Sequence, residues 1–452
     1  MVQVRLRGVW GRRTLSVVVP AVLLIACSGG ATGPGVVFRT DGRPPSFALP
    51  SSGSGRCSMD YGAQVSLVDP SSGSQRWTTD VPWVPGAVAV IDGERLYTDA
   101  GGKDGSVVAM RLSDGRPLWQ RPMTSVYGTP ELDVVSGLLI IKESFSPDNS
   151  AVVALSLDDG TERWRENLSG LSIDPVQVSG DTVFVGDGQG RIFAFDASTG
   201  SQRWVAAFGA DNTSVTVTLA DDTLFARGNQ SGLAAFDPAS GQRRWAKEDG
   251  QSYVVIGTAG EMLLTQLFPP GGLPATLVAF RVENGDQSWE RPLPGTPPQP
   301  APSIATDQPI LYGENQIEAL DPATGQHRWD APIQAGGARG NNTLLLVTSR
   351  PSESLTSHLV ALDPTTGAIV WDHPVQAQQL SVPALVDDTI YLGAGRTSTG
   401  WADPNNGVLE AINAADGTTR WTTSLRDAVL AQPQPSDAGL VVASADAPLF
   451  CD

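Results

Sequence analysis

Lysine is nearly missing from this chain. Of 452 residues only Lys103, Lys142 and Lys247 are lysines, and Lys+Arg total 30 against 48 Asp+Glu, a formal charge of −18. A chain so short of cations is poorly equipped to displace the counterions of a phosphate backbone, so nucleic acid is excluded as a general partner. Cysteine is equally scarce, with Cys27, Cys57 and Cys451 alone, which removes the paired-cysteine haem and zinc patterns. His327, His358 and His373 are the only histidines and have no metal-type spacing. No D-x-D-x-D-G calcium loop occurs either. The residues therefore point to no metal and no cofactor. An apolar run long enough to cross a bilayer as a helix is lacking too. What the chain has in quantity is glycine (49), proline (34) and 12 tryptophans. Length alone would suggest about three domains, and glycine and proline at this level are high for a helical protein.

Residues 1–26 carry Arg5, Arg7, Arg12 and Arg13 and no acid, then an apolar run from Leu15 to Ala26. That order, charge before a short apolar stretch, is the pattern of an export signal. Arg12-Arg13 leaves the general and twin-arginine routes both open. The run ends Leu24-Ile25-Ala26-Cys27 and resembles a bacterial lipobox. The resemblance implies cleavage before Cys27, its diacylation, and an exported protein held on the extracytoplasmic side of a membrane by lipid alone. Two acyl chains suffice for stable anchoring. Loss of the four arginines takes the formal charge from −18 to −22. Residues 27–55 are rich in Gly, Pro and Ser and read as a flexible tether, leaving 56–452 as the folded domain.

Nine tryptophans form a ladder: Trp77, Trp119, Trp164, Trp204, Trp245, Trp289, Trp329, Trp371 and Trp421, spaced by 40 to 50 residues. A glycine stands four residues before each. Eight residues before it stands Asp69, Asp196, Asp237, Asp321, Asp363 or the near-equivalent Asn413. Ten before it, eight of the nine units have alanine, from Ala109 to Ala411. In the unit 191–204, Ile192-Phe193-Ala194-Phe195 fits a short buried strand. Asp196 is suited to bond backbone N–H groups just ahead of it, and Gly200 to supply the positive φ that closes a turn. Trp204 then sits on a returning strand, its ring large enough to fill the gap between adjacent sheets. Two further strands lie upstream. Four strands per unit of about 42 residues, repeated without a break, is the arithmetic of a β-propeller.

The segments Ala319-Leu-Asp-Pro-Ala-Thr-Gly-Gln-His-Arg-Trp329 and Ala361-Leu-Asp-Pro-Thr-Thr-Gly-Ala-Ile-Val-Trp371 closely resemble the PQQ-like propeller repeat, and the resemblance covers about 57–452. It implies an all-β chain folded as a single propeller with eight complete four-stranded units. The end pieces, 57–77 and 422–452, either combine into a composite ninth blade or leave a displaced segment on an eight-bladed ring. Quinoprotein dehydrogenases share the repeat, but they stack the quinone beneath a disulfide of adjacent cysteines and hold calcium with set ligands. This sequence has no adjacent cysteine pair and no assignable ligand set, so a quinone-dependent oxidoreductase is the least favoured reading. The chain resembles, at repeat level, the propeller lipoproteins of the outer-membrane β-barrel assembly machine. That implies a non-enzymatic scaffold binding another envelope protein. A receptor for cell-wall glycan or a small ligand is the alternative.

With Cys27 assigned to the anchor, Cys57 and Cys451 remain at the two ends of the repeat array. In an exported protein they favour a disulfide. Four connections between second and third strands are long, 142–151, 266–275, 349–358 and 394–407, and in a propeller they emerge beside the blade-to-blade connections. Phe145, Phe268 and Trp401 lie in them, and Trp83 lies in the first blade connection. Aromatics on one loop-rich face form a candidate binding surface. His327 and His373 flank repeat tryptophans, which suggests exposed strand ends.

Overall fold

The computed structural model describes residues 62–82, 89–100, 106–123, 132–146, 149–170, 176–208, 213–228, 231–269, 275–293 and 302–445, the last run without 306, 314, 342, 350–355, 378, 396–406 and 430. Every regular element among them is a strand. The strands form nine antiparallel sheets, the nine blades of one propeller. Blades 2 to 9 follow the chain, at 89–122, 132–169, 177–207, 215–247, 252–292, 303–331, 335–375 and 379–425. Blade 1 is composite. Its two inner strands are Gln434–Ser436 and Gly439–Ala445, and its two outer strands are Gly62–Val68 and Gln75–Pro82. The seam is the ladder that runs from Ala63 opposite Ala445 to Val68 opposite Leu440. The described parts of the end pieces therefore combine into a ninth blade.

Within a blade the second and third strands are the most deeply buried, and the fourth is largely exposed, as in 182–186 and 191–196 against 202–207. The repeat alanines Ala109, Ala154, Ala194, Ala235, Ala279, Ala319, Ala361 and Ala411 are all fully buried. Each pairs directly with the tryptophan of its own unit, as Ala194 does with Trp204, and a register shift follows it at once. A small side chain there makes room for the indole beside it. The turn into the fourth strand is closed as its residues require. Asp196 Oδ1 accepts from the backbone N–H of Ser198 at 3.1 Å and Thr199 at 2.9 Å. The N–H of Gly200, at φ +74°, donates to the Asp196 carbonyl at 2.8 Å. Such a φ costs a side-chain-bearing residue about 1–2 kcal/mol.

The blades are joined by the tryptophans. Each indole N–H donates to a carbonyl in the turn of the next blade, from Trp77 to Leu112 at 2.8 Å and so on to Trp371 with Ala414 at 2.9 Å. The ninth bond closes the circle, from Trp421 to the Pro70 carbonyl at 2.9 Å. Each ring also lies against the turn glycine of that next blade, Trp204 under Gly241 and Trp421 under Gly73. The repeat glycine is thus fixed twice, by its positive φ and by the ring of its neighbour.

The two constraints separate by mutation. A Cβ at Gly241, φ +70°, would sit 2.6 Å from the Trp204 ring, whereas one at Gly93, φ +57°, meets nothing within 4 Å. Gly93→Ala is expected to cost only the backbone strain, about 1 kcal/mol, and Gly241→Ala about 2–4 kcal/mol, strain plus overpacking. Guanidinium unfolding of the two variants measures this, and equal losses would contradict the interblade contact.

Candidate interaction surface

Antiparallel order gives the ring two unlike faces. The turns joining first to second and third to fourth strands emerge on one face. The hairpins joining second to third strands and the blade connections emerge on the other.

The turn face is built to one pattern. Four of its five repeat aspartates are engaged by arginines one residue before the tryptophan: Arg76 with Asp69 at 2.6 Å, Arg203 with Asp196 at 2.6 Å, Arg244 with Asp237 at 3.0 Å and Arg328 with Asp321 at 2.7 Å. The Arg203 guanidinium, then the hydroxyls of Ser198 and Thr199, hold the Asp196 carboxyl well below the usual carboxylate range. These arginines escaped the sequence reading, although six units carry one at this position, Arg76, Arg163, Arg203, Arg244, Arg328 and Arg420.

The hairpin face varies from blade to blade. The segment 142–151 is not a loop, as its length suggested. Ladder pairing continues through Lys142 opposite Val152 and Glu143 opposite Ala151 to Ser146 opposite Asn149. Glu143 is buried because Arg165 meets it at 3.0 Å. Arg165 also reaches Glu162 at 3.0 Å, and Glu162 accepts from Arg121 of the preceding blade at 2.6 Å. Arg165, then Arg121, hold the Glu162 carboxyl below its ordinary range. The glycine-rich segment 186–191 is a hairpin held by fully buried Asp187, which accepts from the backbone N–H of Gln189 and Arg191, each at 2.9 Å. Gly186 is required there because the Val215 carbonyl of the next blade occupies the place of a Cβ.

Of the candidate aromatics, Phe268 ends the strand Met262–Phe268 and is half-buried rather than exposed in a loop. Phe145 belongs to the strand Leu138–Ser146, and its side chain lies outside the described residues, as do Trp83 and Trp401. Cys27, Cys57 and Cys451 lie outside them too. The structure therefore does not bring the four aromatics together as one described site. Among the described residues no group of three or more His, Cys, Asp or Glu is arranged to hold a metal ion.

A family model described as outer membrane protein assembly factor BamB matches residues 61–142, 148–308 and 313–447, nearly the whole ring. The chain belongs to this family. It is 27% identical to the BamB of Burkholderia pseudomallei (strain K96243) over 152 residues, which are 31% of this chain and 39% of that protein. It is 26% identical to that of Alkalilimnicola ehrlichii over 124 residues, 25% of this chain and 30% of that protein. The matches thus span well under half the length of these relatives. Among solved structures it is similar to BamB from Moraxella catarrhalis, with 14% identity, TM-score 0.42, and 86% of this chain and 92% of that one covered. It is also similar to a quinohemoprotein alcohol dehydrogenase from Pseudomonas putida HK5, with 13% identity, TM-score 0.44, and 84% and 70% covered.

In this BamB-family ring a second latch stands two residues after the tryptophan in six of the nine blades, and the sequence reading missed it. Thr79 donates to the Gly115 carbonyl at 2.8 Å and Thr423 to that of Gly73. Lys247 lies 5.0 Å from the centre of the Phe280 ring, and Arg291 pairs with Glu318 at 2.7 Å. His373 fills this position between blades 8 and 9. It is not an exposed strand end. Its side chain is only 11% exposed, with Nδ1 2.9 Å from the Gly417 carbonyl and Nε2 2.8 Å from Glu410. Both nitrogens face acceptors, so the charged ring is favoured. Glu410 above all raises its pKa against the opposing effect of burial.

A raised folded-state pKa fixes the sign of a pH effect. The contribution of His373 is complete below its unfolded pKa of about 6.5 and is lost as pH rises through the higher folded value. The stability gap between the unchanged protein and His373→Gln should therefore be widest in mildly acidic buffer and shrink toward alkaline pH. Chemical unfolding at a series of pH values reads this. A gap that widened with pH would overturn the assignment.

Proposed function

We propose that this chain is an exported, lipid-anchored scaffold of the cell envelope. It serves the assembly of outer-membrane proteins, as its relatives' name says of them, by binding a protein partner and without catalysing a reaction. The family match along nearly the whole ring carries the proposal. Lipidated Cys27 is the anchor and 27–55 the tether. The hairpin face is the docking side. The turn face is committed to the contacts that hold neighbouring blades, whereas the hairpins differ in length and chemistry without disturbing that frame. Recognition carried by variable segments on a rigid scaffold is a common arrangement.

Two measurements test this. A photo-crosslinking residue placed at Asn149 or Phe268, on the hairpin side, should capture a protein of the outer-membrane assembly apparatus in intact cells. The same residue at exposed Glu94, on the turn face, should not. Equal capture from both faces, or none from the hairpin side, counts against the docking side chosen. Cys27→Ala should move the protein from the membrane fraction to the soluble one, and continued retention would contradict the anchor.

A further inference from the structure

Blade 1 is the only blade assembled from both ends of the chain. In each of the other blades a covalent hairpin joins the second strand to the third. In blade 1 those two strands are Gly439–Ala445 and Gly62–Val68, and between Ala445 and Ala63 the chain is open. The ladder that replaces the hairpin pairs Ala63 with Ala445, Gln64 with Ser444, Val65 with Ala443 and onward to Val68 with Leu440, with no register shift. Each step back along one strand is matched by one step forward along the other. Six steps before Ala63 stands Cys57, and six steps after Ala445 stands Cys451.

We propose that Cys57 and Cys451 form a disulfide that takes the place of the missing hairpin and closes the ring covalently. Two arms of equal length leave adjacent, paired positions on the hairpin face, and each carries its cysteine at the same distance from the seam. The arms start from the directly opposed residues Ala63 and Ala445, and such a pair has Cα atoms about 4.5–5.5 Å apart, a separation that a disulfide spans. Pro448 lacks the N–H that a regular ladder would use, so the bond depends on the matched arms and not on an unbroken ladder.

The oxidation is balanced by thiol–disulfide exchange with an oxidising protein disulfide. Each thiol gives up a proton and an electron, the S–S bond forms, and the oxidant is reduced to a dithiol. This requires an oxidising compartment and so rests on the export reading above. The bond would also sit where the tether meets the ring. A pull on the anchor would then pass through Cys57 to Cys451 before it could peel the two seam strands apart.

Tryptic mapping of the full-length protein extracted from cells tests the bond directly. No Lys or Arg lies within 57–75 or 427–452, so cleavage after Arg56, Arg76 and Arg426 isolates each cysteine in one peptide. The peptides 57–76 and 427–452 should be found linked after alkylation without reduction, and separate after reduction. Both thiols alkylated without reduction, or links only between two copies of one peptide, would overturn the proposal. Cys57→Ser, Cys451→Ser and the double variant should each shift the unfolding equilibrium by the same amount, about 30-fold or more. Additive losses would mean two independent thiols. If the variants do not fold, the peptide map of the unchanged protein still decides. Free thiols in envelope-located protein would overturn the bond alone, whereas free thiols in cytoplasmic protein would remove the export reading with it.

Discussion

The contact between a tryptophan and the turn glycine of the next blade is the constraint on which the ring depends. No blade buries both of its faces alone, since each supplies a wall of its neighbour's core. The cluster around Trp204, for example, draws Phe184, Ile192 and Ala194 from blade 4 and Val215, Leu224 and Phe236 from blade 5. The indole adds direction to that apolar contact. Its N–H reaches one carbonyl and its face covers one glycine, which sets the position of blade on blade. Eight such contacts join consecutive blades, and a ninth must return across 351 residues, from Trp421 to Pro70. Closure is therefore the same interaction as propagation, made once at long range.

What was legible in the sequence follows from this. The tryptophan, alanine, aspartate and glycine positions each do one job with one side chain, so they recur as letters. In six of the nine blades the residue two after the tryptophan also does one job, reaching into the next blade. Threonine, lysine, arginine and histidine all do it, so no letter repeats. Thr79, Lys247, Arg291 and His373 are equivalent in space and unlike in sequence. The number of blades was hidden for a different reason. The chain ends fall inside a blade, and only the pairing of Gly62–Val68 with Gly439–Ala445 reveals that two partial units make one.

The hairpin 142–151 shows a third kind of opacity. Its length alone marked it as an enlarged loop, and the charges of Lys142 and Glu143 gave no reason to place it in a ladder. Both are buried, and for Glu143 the reason stands on another strand, where Arg165 bridges it to Glu162. Burying a carboxylate is costly unless it is paired, and the partner lies 22 residues away in sequence. A segment read by itself gives no sign of it.

The two faces divide the demands on the protein. On the turn face, glycine, aspartate, arginine and the next tryptophan interlock, so a change at one blade is felt at the following one. On the hairpin face, 186–191 is held close by Asp187 and by the Val215 carbonyl, while the ladder through 142–151 extends outward. The hairpins there differ from blade to blade. The open seam lies on this face as well, since Ala445 and Gly62 both end toward it.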